Sequence, residues 1–247
     1  MIRRLKHSRR SFIKLCMGAI TASQMRQSLA QSDNCVKQYN KVNLVGFNKQ
    51  PLVSASIEVG RSYIFHYPYV STPCFLIDLG EPVDDAVKLK TEDGRLYTWH
   101  GGVGRANSIV AFSAICAHKM THPAKSVSFI NYRHQTINYN DKNNKQKTGA
   151  QLIYCCSERS VYDVKFGARV VGGPAGQPLT AILLEYDKKL DQLYAVGVSG
   201  GEMYDRFFKV FSARLQLEYR ITEVDKLVNK DSEVMLLEKF SKVAQTC

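Results

Sequence analysis

Short apolar runs separated by turn residues dominate the chain between about residues 53 and 200. The runs are rich in β-branched and aromatic residues, and Pro, Gly, Asp and Ser interrupt them, which is typical of strands joined by tight turns. The predicted strands cover residues 62–67, 74–79, 87–90, 96–100, 108–115, 151–154, 168–171, 181–186 and 193–198. This pattern predicts an antiparallel all-β domain.

Outside this region the pattern changes. Residues 205–215 and 225–243 have apolar side chains at helical spacing, so they predict a helical C-terminal tail. A polar segment rich in Lys and Asn, residues 135–149, predicts an exposed loop or insertion. The predicted organisation is an irregular leader at 31–52, a β domain at 53–200 and a helical extension at 201–247.

The first thirty residues predict a targeting segment. Arg9 and Arg10 lie in a twin-arginine sequence, an apolar stretch from Leu15 to Ala22 follows, and Ser28-Leu29-Ala30 has the small residues of a cleavage site. Proteins exported by this route are already folded, often around a cofactor. The expected location is the periplasm, with the segment either cleaved or kept as a weak attachment to the inner membrane.

The charge of the chain depends strongly on this segment. The formal net charge of +12 falls to +5 when the seven basic residues of positions 1–30 are removed. The remaining lysines and arginines are scattered and form no stripe interleaved with aromatic residues. This distribution does not support nucleic-acid binding.

The cysteine content points to disulfides or to a metal site. Cys16 lies in the targeting segment, and six cysteines follow it: Cys35, Cys74, Cys116, Cys155, Cys156 and Cys247. An even number in an oxidising compartment predicts disulfides. The adjacent pair Cys155-Cys156 is awkward for a disulfide framework and favours a metal site.

Three segments that follow predicted strands carry the candidate chemistry: Cys116–His118, Cys155–Asp163 and Gly172–Leu179. Their order resembles the Rieske family, in which two loops supply C-x-H and C-x-x-H motifs and a third loop of the form G-P-A-x-x-P-L covers the metal centre. The resemblance extends over about residues 53–200. It implies a Rieske-type antiparallel β-sandwich with a cluster-binding loop subdomain.

The resemblance also implies a [2Fe–2S] cluster, with two cysteines on one iron and two histidines on the other. On this chain the implied metal ligands are Cys116, His118 and Cys156, with the adjacent Cys155 as an alternative.

Further positions match residues that surround the cluster in the family. Ser160 and Tyr162 match hydroxyls that hydrogen-bond a cluster sulfur and a cysteine ligand. Gly173 and Pro174 belong to the covering loop. Hydrogen bonds to the cluster favour its reduced form.

The second motif departs from the family because it contains no histidine. Alignment without a gap makes Cys155 and Glu158 the ligand positions, and a one-residue deletion makes them Cys156 and Arg159. The second register is preferred because it needs only one change from His to Arg. Arginine is a poor ligand because it stays protonated, whereas a glutamate could bind iron and would lower its potential.

Other histidines could complete a cluster. His122 and His134 are spare donors near the first motif, and His66 and His100 lie within predicted strands, where a structural role is expected. Thr121 stands where quinol-oxidising members have a bracing cysteine.

The predicted function is one-electron transfer by a periplasmic subunit of a respiratory or other oxidoreductase chain. The expected partners are a cytochrome or a quinol- or molybdenum-dependent oxidoreductase. The alternative is a degenerate Rieske-fold protein without a cluster that acts in assembly or interaction. A zinc site at the same cysteines is a further possibility. An oxygenase is disfavoured, because no histidine follows Cys156 to build a mononuclear iron site.

Overall fold

The computed structural model describes residues 35–247, so the targeting segment predicted for residues 1–30 lies outside the described residues. The described strands are β1 Val36–Val45, β2 Tyr63–His66, β3 Pro73–Asp78, β4 Val87–Lys90, β5 Leu96–Trp99, β6 Ile109–Ser113, β7 Val127–Ser128, β8 Ile130–Arg133, β9 Ile137–Asn140, β10 Gln146–Gly149, β11 Leu152–Cys155, β12 Ser160–Asp163, β13 Arg169–Gly172, β14 Ala181–Asp187, β15 Gln192–Ser199, β16 Asp231–Glu233, β17 Met235–Leu236 and β18 Val243–Ala244. The helices are α1 Tyr204–Tyr219 and α2 Leu237–Phe240, with 3-10 turns at Ser54–Ser56 and Val164–Phe166.

The largest sheet has eight strands in the order β16-β1-β15-β14-β6-β3-β2-β17. Its edge strands β16 and β17 are separated by one residue, Val234, so the sheet almost closes on itself. All its pairings are antiparallel except that of β1 with β16. Near-closure leaves few unpaired strand edges.

A second sheet of four antiparallel strands, in the order β13-β12-β11-β8, packs on the first. One hydrophobic core joins the two sheets and contains Phe75, Phe112, Ile130, Ile153 and Leu179. Each of these side chains is fully buried. The candidate metal-binding segments emerge from β6 of the large sheet and from the β11–β12 hairpin of the small one.

The all-β antiparallel fold with a helical segment towards the C-terminus is confirmed. Each of the nine predicted strands overlaps a strand of the structure, and α1 covers the first predicted helix. Among the described residues, no helix combines the length and apolarity that crossing a bilayer requires.

Two local expectations were wrong, and a third was incomplete. Residues 36–45, expected to be irregular, form strand β1, which pairs with β15. Val42 and Leu44 alternate with more exposed residues along β1 and are buried on its inner face. Residues 225–243 do not form one helix: they contain the short strands β16 and β17 and the start of β18, which pair with other strands, and only α2 is helical. The polar segment 135–149 contains a β-hairpin, β9–β10, which is largely exposed as expected.

Candidate metal centre

The first loop, residues 114–122, begins directly after β6. Its backbone closes on itself, since the Cys116 N–H donates to Thr121 O at 2.8 Å and the Met120 N–H donates to Cys116 O at 2.9 Å. Met120 completes the turn with a φ of 57°. These bonds hold Cys116 at the base of the loop, where it is 1% exposed.

The second loop, residues 156–159, is the turn of the β11–β12 hairpin. Cys155 is paired across the hairpin with Ser160, and Ile153 is paired with Tyr162. Because side chains alternate along a strand and paired residues share a face, Cys155, Ser160 and Tyr162 all point to the same side of the sheet. All three are fully buried on that side.

The third loop, residues 173–180, packs directly on the second. Gly173 has a φ of 75°, and a Cβ atom built on it would lie 2.3 Å from Arg159 O. Only glycine permits this approach of two backbones. Pro174, which the resemblance assigned to the covering loop, is exposed at the surface.

The two loops bring two buried thiols close together. Cys116 and Cys155 lie near enough to shift each other's pKa, and the Tyr162 hydroxyl lies 3.1 Å from the Cys116 sulfur. The Ala117 N–H donates to the Tyr162 oxygen at 3.1 Å. Because the tyrosine oxygen accepts this bond, its own proton can point to the Cys116 sulfur.

Backbone and hydroxyl donors surround the two sulfurs. The backbone N–H of His118 lowers the pKa of Cys116, and the backbone N–H groups of Glu158 and Ser157 act in the same direction on Cys155. The buried Ser160 hydroxyl approaches Cys116 closely enough to lower its pKa, although it has no partner at good hydrogen-bond geometry. Such donors stabilise a negative charge on sulfur.

The surroundings shift the pKa values of the two thiols in opposite directions. The hydrogen bond from Cys155 is the main cause that lowers the pKa of Cys116 to about 6, and burial opposes it. The same contact raises the pKa of Cys155, because two adjacent thiolates repel each other. Burial raises the pKa of Tyr162, which therefore stays protonated and able to donate. A bound cation would allow both sulfurs to be thiolates.

His118, two residues after Cys116 in the first loop, supplies a nitrogen donor. Its ring is partly buried, and its Nδ1 atom is buried without a hydrogen-bond partner. A buried polar atom with no partner costs free energy unless an ion or a bound group satisfies it. This orphaned nitrogen is consistent with a role as a metal ligand.

The two polar side chains at the end of the second loop point to different surroundings. Glu158 forms an ion pair with Lys119 of the first loop at 2.8 Å and interacts electrostatically with His118, and these contacts lower the pKa of its carboxyl group. Arg159, with a φ of 59°, is exposed and lines a surface cavity of about 310 Å³ with residues of the β9–β10 hairpin and Gly173. The carboxylate therefore faces the first loop and the guanidinium faces the hairpin.

The preference for Cys156 over Cys155 as a ligand has to be corrected. Cys156 forms a disulfide with Cys247, and its sulfur is not available as a thiolate. The physical reason is the alternation of the strand, since Cys155 points into the core towards Cys116 while its neighbour points outward. The gapless register, which pairs Cys155 with Glu158, agrees with this geometry.

The spare histidines have other contacts. His122 is buried between the rings of Phe207 and Phe211, with its Nδ1 2.9 Å from Met120 O. His134 has its Nδ1 3.2 Å from the Tyr132 hydroxyl. These contacts do not bring His122 or His134 to the thiols of Cys116 and Cys155. Sequence reasoning named Cys247 but did not pair it with Cys156, because the two lie 91 residues apart and no local signal links them.

Within residues 35–247, no group of three or more His, Cys, Asp or Glu side chains surrounds a single metal position. No protein-family model matches the sequence. Among solved structures, the chain is similar to the soluble domain of the Rieske protein II (soxF) from Sulfolobus acidocaldarius, with 24% sequence identity and a TM-score of 0.45. The similarity covers 69% of this chain and 85% of that one. Because it is distant, it carries no functional argument, and the chemistry depends on this chain's own loops.

Proposed function

We propose that this protein is a one-electron carrier that holds a [2Fe–2S] cluster between the first and second loops. Cys116 and Cys155 would bind one iron, and His118 would bind the other. The observation that carries this proposal is a pair of buried thiols, from different loops, that shift each other's pKa, together with the buried His118 nitrogen that has no hydrogen-bond partner. When bound, such a cluster accepts and returns a single electron.

The surrounding residues suit this task. The hydroxyl of Tyr162, at hydrogen-bond distance from the Cys116 sulfur, and the backbone N–H groups of His118 and Glu158, which lower the pKa of the two cysteines, would stabilise the extra negative charge of the reduced state. The thiols are excluded from water, while His118 is partly exposed. An electron could therefore pass at the edge of the first loop, where a partner protein can approach.

A single zinc ion and a two-iron cluster place different demands on the protein ligands. A single zinc ion needs three or four protein ligands around one point. In a cluster of the Rieske type, each iron has only two protein ligands and the two irons are separated. The thiols of Cys116 and Cys155 and the imidazole of His118 would supply three of the four protein ligands that such a cluster takes.

The proposal includes a location and a class of partner. Export through the twin-arginine sequence would place the folded domain in the periplasm. The electron would be exchanged there with a cytochrome or with a quinol- or molybdenum-dependent oxidoreductase, and the protein would have no substrate of its own.

One observation favours a second candidate function. The second loop has Glu158 and Arg159 where a two-histidine cluster needs an imidazole. A cluster-free protein that acts in assembly or interaction would have no need of that ligand, and would keep the hydrogen-bonded cysteine pair as a structural feature.

Iron and sulfide analysis of anaerobically purified protein tests the proposal. We expect two irons and two sulfides per chain, with a visible spectrum and an EPR signal that appears on reduction. Cys116→Ser and Cys155→Ser should abolish all three. Cys74→Ala is the matched control, because Cys74 is equally buried but its thiol donates a hydrogen bond to Tyr67 O, away from the two loops. A folded native protein that contains no iron, even after reconstitution, would favour the cluster-free function.

A further inference from the structure

Helix α1 exposes apolar and cationic side chains together on one side. Its inner side is packed into the protein, where Phe207 and Leu215 are fully buried. On the other side, Val210 and Leu217 are 58% and 82% exposed. The exposed residues that share this side at helical spacing, here called the outer face of α1, are Lys209, Val210, Ala213, Arg214, Leu217 and the C-cap Arg220.

The cations of this outer face form no ion pair within residues 35–247. Lys209, Arg214 and Arg220 are all exposed, and none of them takes part in the salt bridges of these residues. The acid at the edge of the face, Glu218, is already engaged, because its Oε1 accepts a hydrogen bond from the Lys125 backbone N–H at 2.5 Å. The outer face is therefore positive, and it attracts an anionic partner.

The arrangement of the two kinds of side chain favours a lipid surface over an acidic protein. At 100° per residue, Val210 and Leu217 lie between Lys209 and Arg220 on one side and Arg214 on the other, so cations flank an apolar stripe. In an interfacial helix, such a stripe enters the boundary of the acyl chains while the long cationic side chains reach the headgroup phosphates. An acidic protein surface would pair with the cations but would press charged groups against the stripe.

We propose that the outer face of α1 binds an anionic lipid surface. The binding is peripheral, because it involves the side chains of one helix that stays packed on its own domain. Each Lys or Arg close to such a surface strengthens binding about fivefold, and salt screens this part. The apolar stripe adds a part that salt does not remove.

This binding would also position the candidate metal centre. His122 of the first loop packs on the inner side of α1, with its ring centroid 4.8 Å from that of Phe207 and 5.0 Å from that of Phe211. The first loop would then lie about one helix diameter, roughly 10 Å, from the lipid surface. A carrier held in this way would meet partners that are themselves bound to the membrane.

Tryptophan fluorescence of full-length Leu217→Trp tests the contact at the residue itself. The native chain has one tryptophan, Trp99, which is only 4% exposed, so the introduced indole should dominate any response. With vesicles of equal parts phosphatidylglycerol and phosphatidylcholine, the emission should shift to shorter wavelength, and brominated acyl chains should quench it. Vesicles of phosphatidylcholine alone should have neither effect.

Leu190→Trp is the matched control for this measurement. Leu190 is 57% exposed and follows Lys189, so it too is an apolar side chain beside a cation. It lies in the turn before β15, whose eight residues separate it from the end of the strand that leads to α1. Its emission should not change with either kind of vesicle.

Two triple variants in the Leu217→Trp chain separate this face from overall charge. The first combines Lys209→Gln, Arg214→Gln and Arg220→Gln. The second removes the same charge from the exposed β9–β10 hairpin and combines Lys142→Gln, Lys145→Gln and Lys147→Gln. The first should bind anionic vesicles on the order of 100-fold more weakly, and the second should bind as before. Thermal unfolding verifies that both variants are folded.

The outcomes that would overturn the proposal are specific. They are an unchanged emission of Leu217→Trp with anionic vesicles, equal quenching of Leu190→Trp, or equal weakening by the two triple variants. A response of Leu217→Trp to polyglutamate but not to vesicles would assign the face to an acidic protein instead. Each of these measurements can be made with or without iron, so its result is independent of the proposed cluster.

Discussion

Cys156 is joined by a disulfide to Cys247, 91 residues further along the chain, with their Cα atoms 5.7 Å apart. The bond fastens the segment that contains β18 to the second loop. Hydrogen bonds support it, since the Asn131 side chain and the Arg133 guanidinium both donate to Gln245 O at 2.8 Å. The covalent link therefore braces the loop that carries Cys155.

Removal of this link should destabilise the protein. Cys247→Ser opens a long loop in the unfolded chain, and a loss of about 2–4 kcal/mol in the free energy of unfolding is expected. Urea unfolding of native protein, with and without reductant, measures the change. The native protein in reductant should behave like the variant. Equal midpoints for all samples would mean that the two cysteines are not linked in solution.

Tyr162→Phe should weaken both the fold and the stabilisation of the reduced state. The variant leaves the buried Ala117 N–H without its acceptor, at a cost of about 1–3 kcal/mol. It also removes the hydrogen bond to Cys116, so the reduction potential of the loaded protein should fall. Tyr132→Phe is the control, because its hydroxyl contacts His134 instead. An unchanged potential in Tyr162→Phe alone would contradict the assigned hydrogen bond.

Metal-free protein should form a disulfide between Cys116 and Cys155. The two thiols lie near enough to shift each other's pKa, and the pKa of Cys116 is lowered to about 6, which favours its reactive thiolate form. With oxidised glutathione as the oxidant, peptide mapping should recover the Cys116–Cys155 link, and a bound cluster should prevent it. Cys74, whose pKa is raised by burial, should remain reduced under the same conditions. Failure of the pair to oxidise would mean that the loops separate without metal.

Stability should fall in mild acid because of His66. Burial, and secondarily the charge of Lys125, lower the folded pKa of this histidine from 6.5 to about 4. Below pH 6.5 the unfolded chain binds a proton that the folded protein excludes, so stability declines between about pH 6.5 and pH 4 and then levels off. The free energy of unfolding should fall by about 1–3 kcal/mol. This is less than the whole pKa shift of His66 would give, because its ring is partly exposed to water.

The Tyr219 hydroxyl lies 3.2 Å from Nε2 of His66. The variant His66→Gln keeps a polar partner for this hydroxyl and removes the group that takes up the proton. Denaturation midpoints collected across this pH range should show a shallower decline in the variant. The buried His122, whose pKa is also lowered by burial, contributes in the same direction, so some decline should remain. An identical pH dependence in both proteins would exclude His66 as a source.

Export is tested at the N-terminus. Replacing Arg9 and Arg10 by lysines should keep the protein in the cytoplasm if the twin-arginine sequence is its signal. N-terminal sequencing of the periplasmic protein should begin near Gln31. Export of the doubly substituted chain at the native rate would exclude this route, and recovery of uncleaved chain only in membranes would exclude cleavage.

The sequence by itself determined the strands and the first loop. Alternating apolar residues predicted the strands at 74–79 and 108–115 because one face of each must be buried. The C-x-H motif at Cys116 stood out because it follows a long apolar strand. These are local signals, and each can be recognised within about ten residues of the chain.

Only the tertiary structure decided between Cys155 and Cys156. Adjacent residues of a strand point to opposite faces, so one of the two had to face the core and the other had to face outward. Which face is the core depends on the packing of β11 against the large sheet and on the pairing with Ser160. The partner of the outward cysteine, Cys247, is brought close by pairing of β18 with β7, which no local pattern specifies. The same packing placed Glu158 against Lys119 of the first loop and Arg159 beside the β9–β10 hairpin.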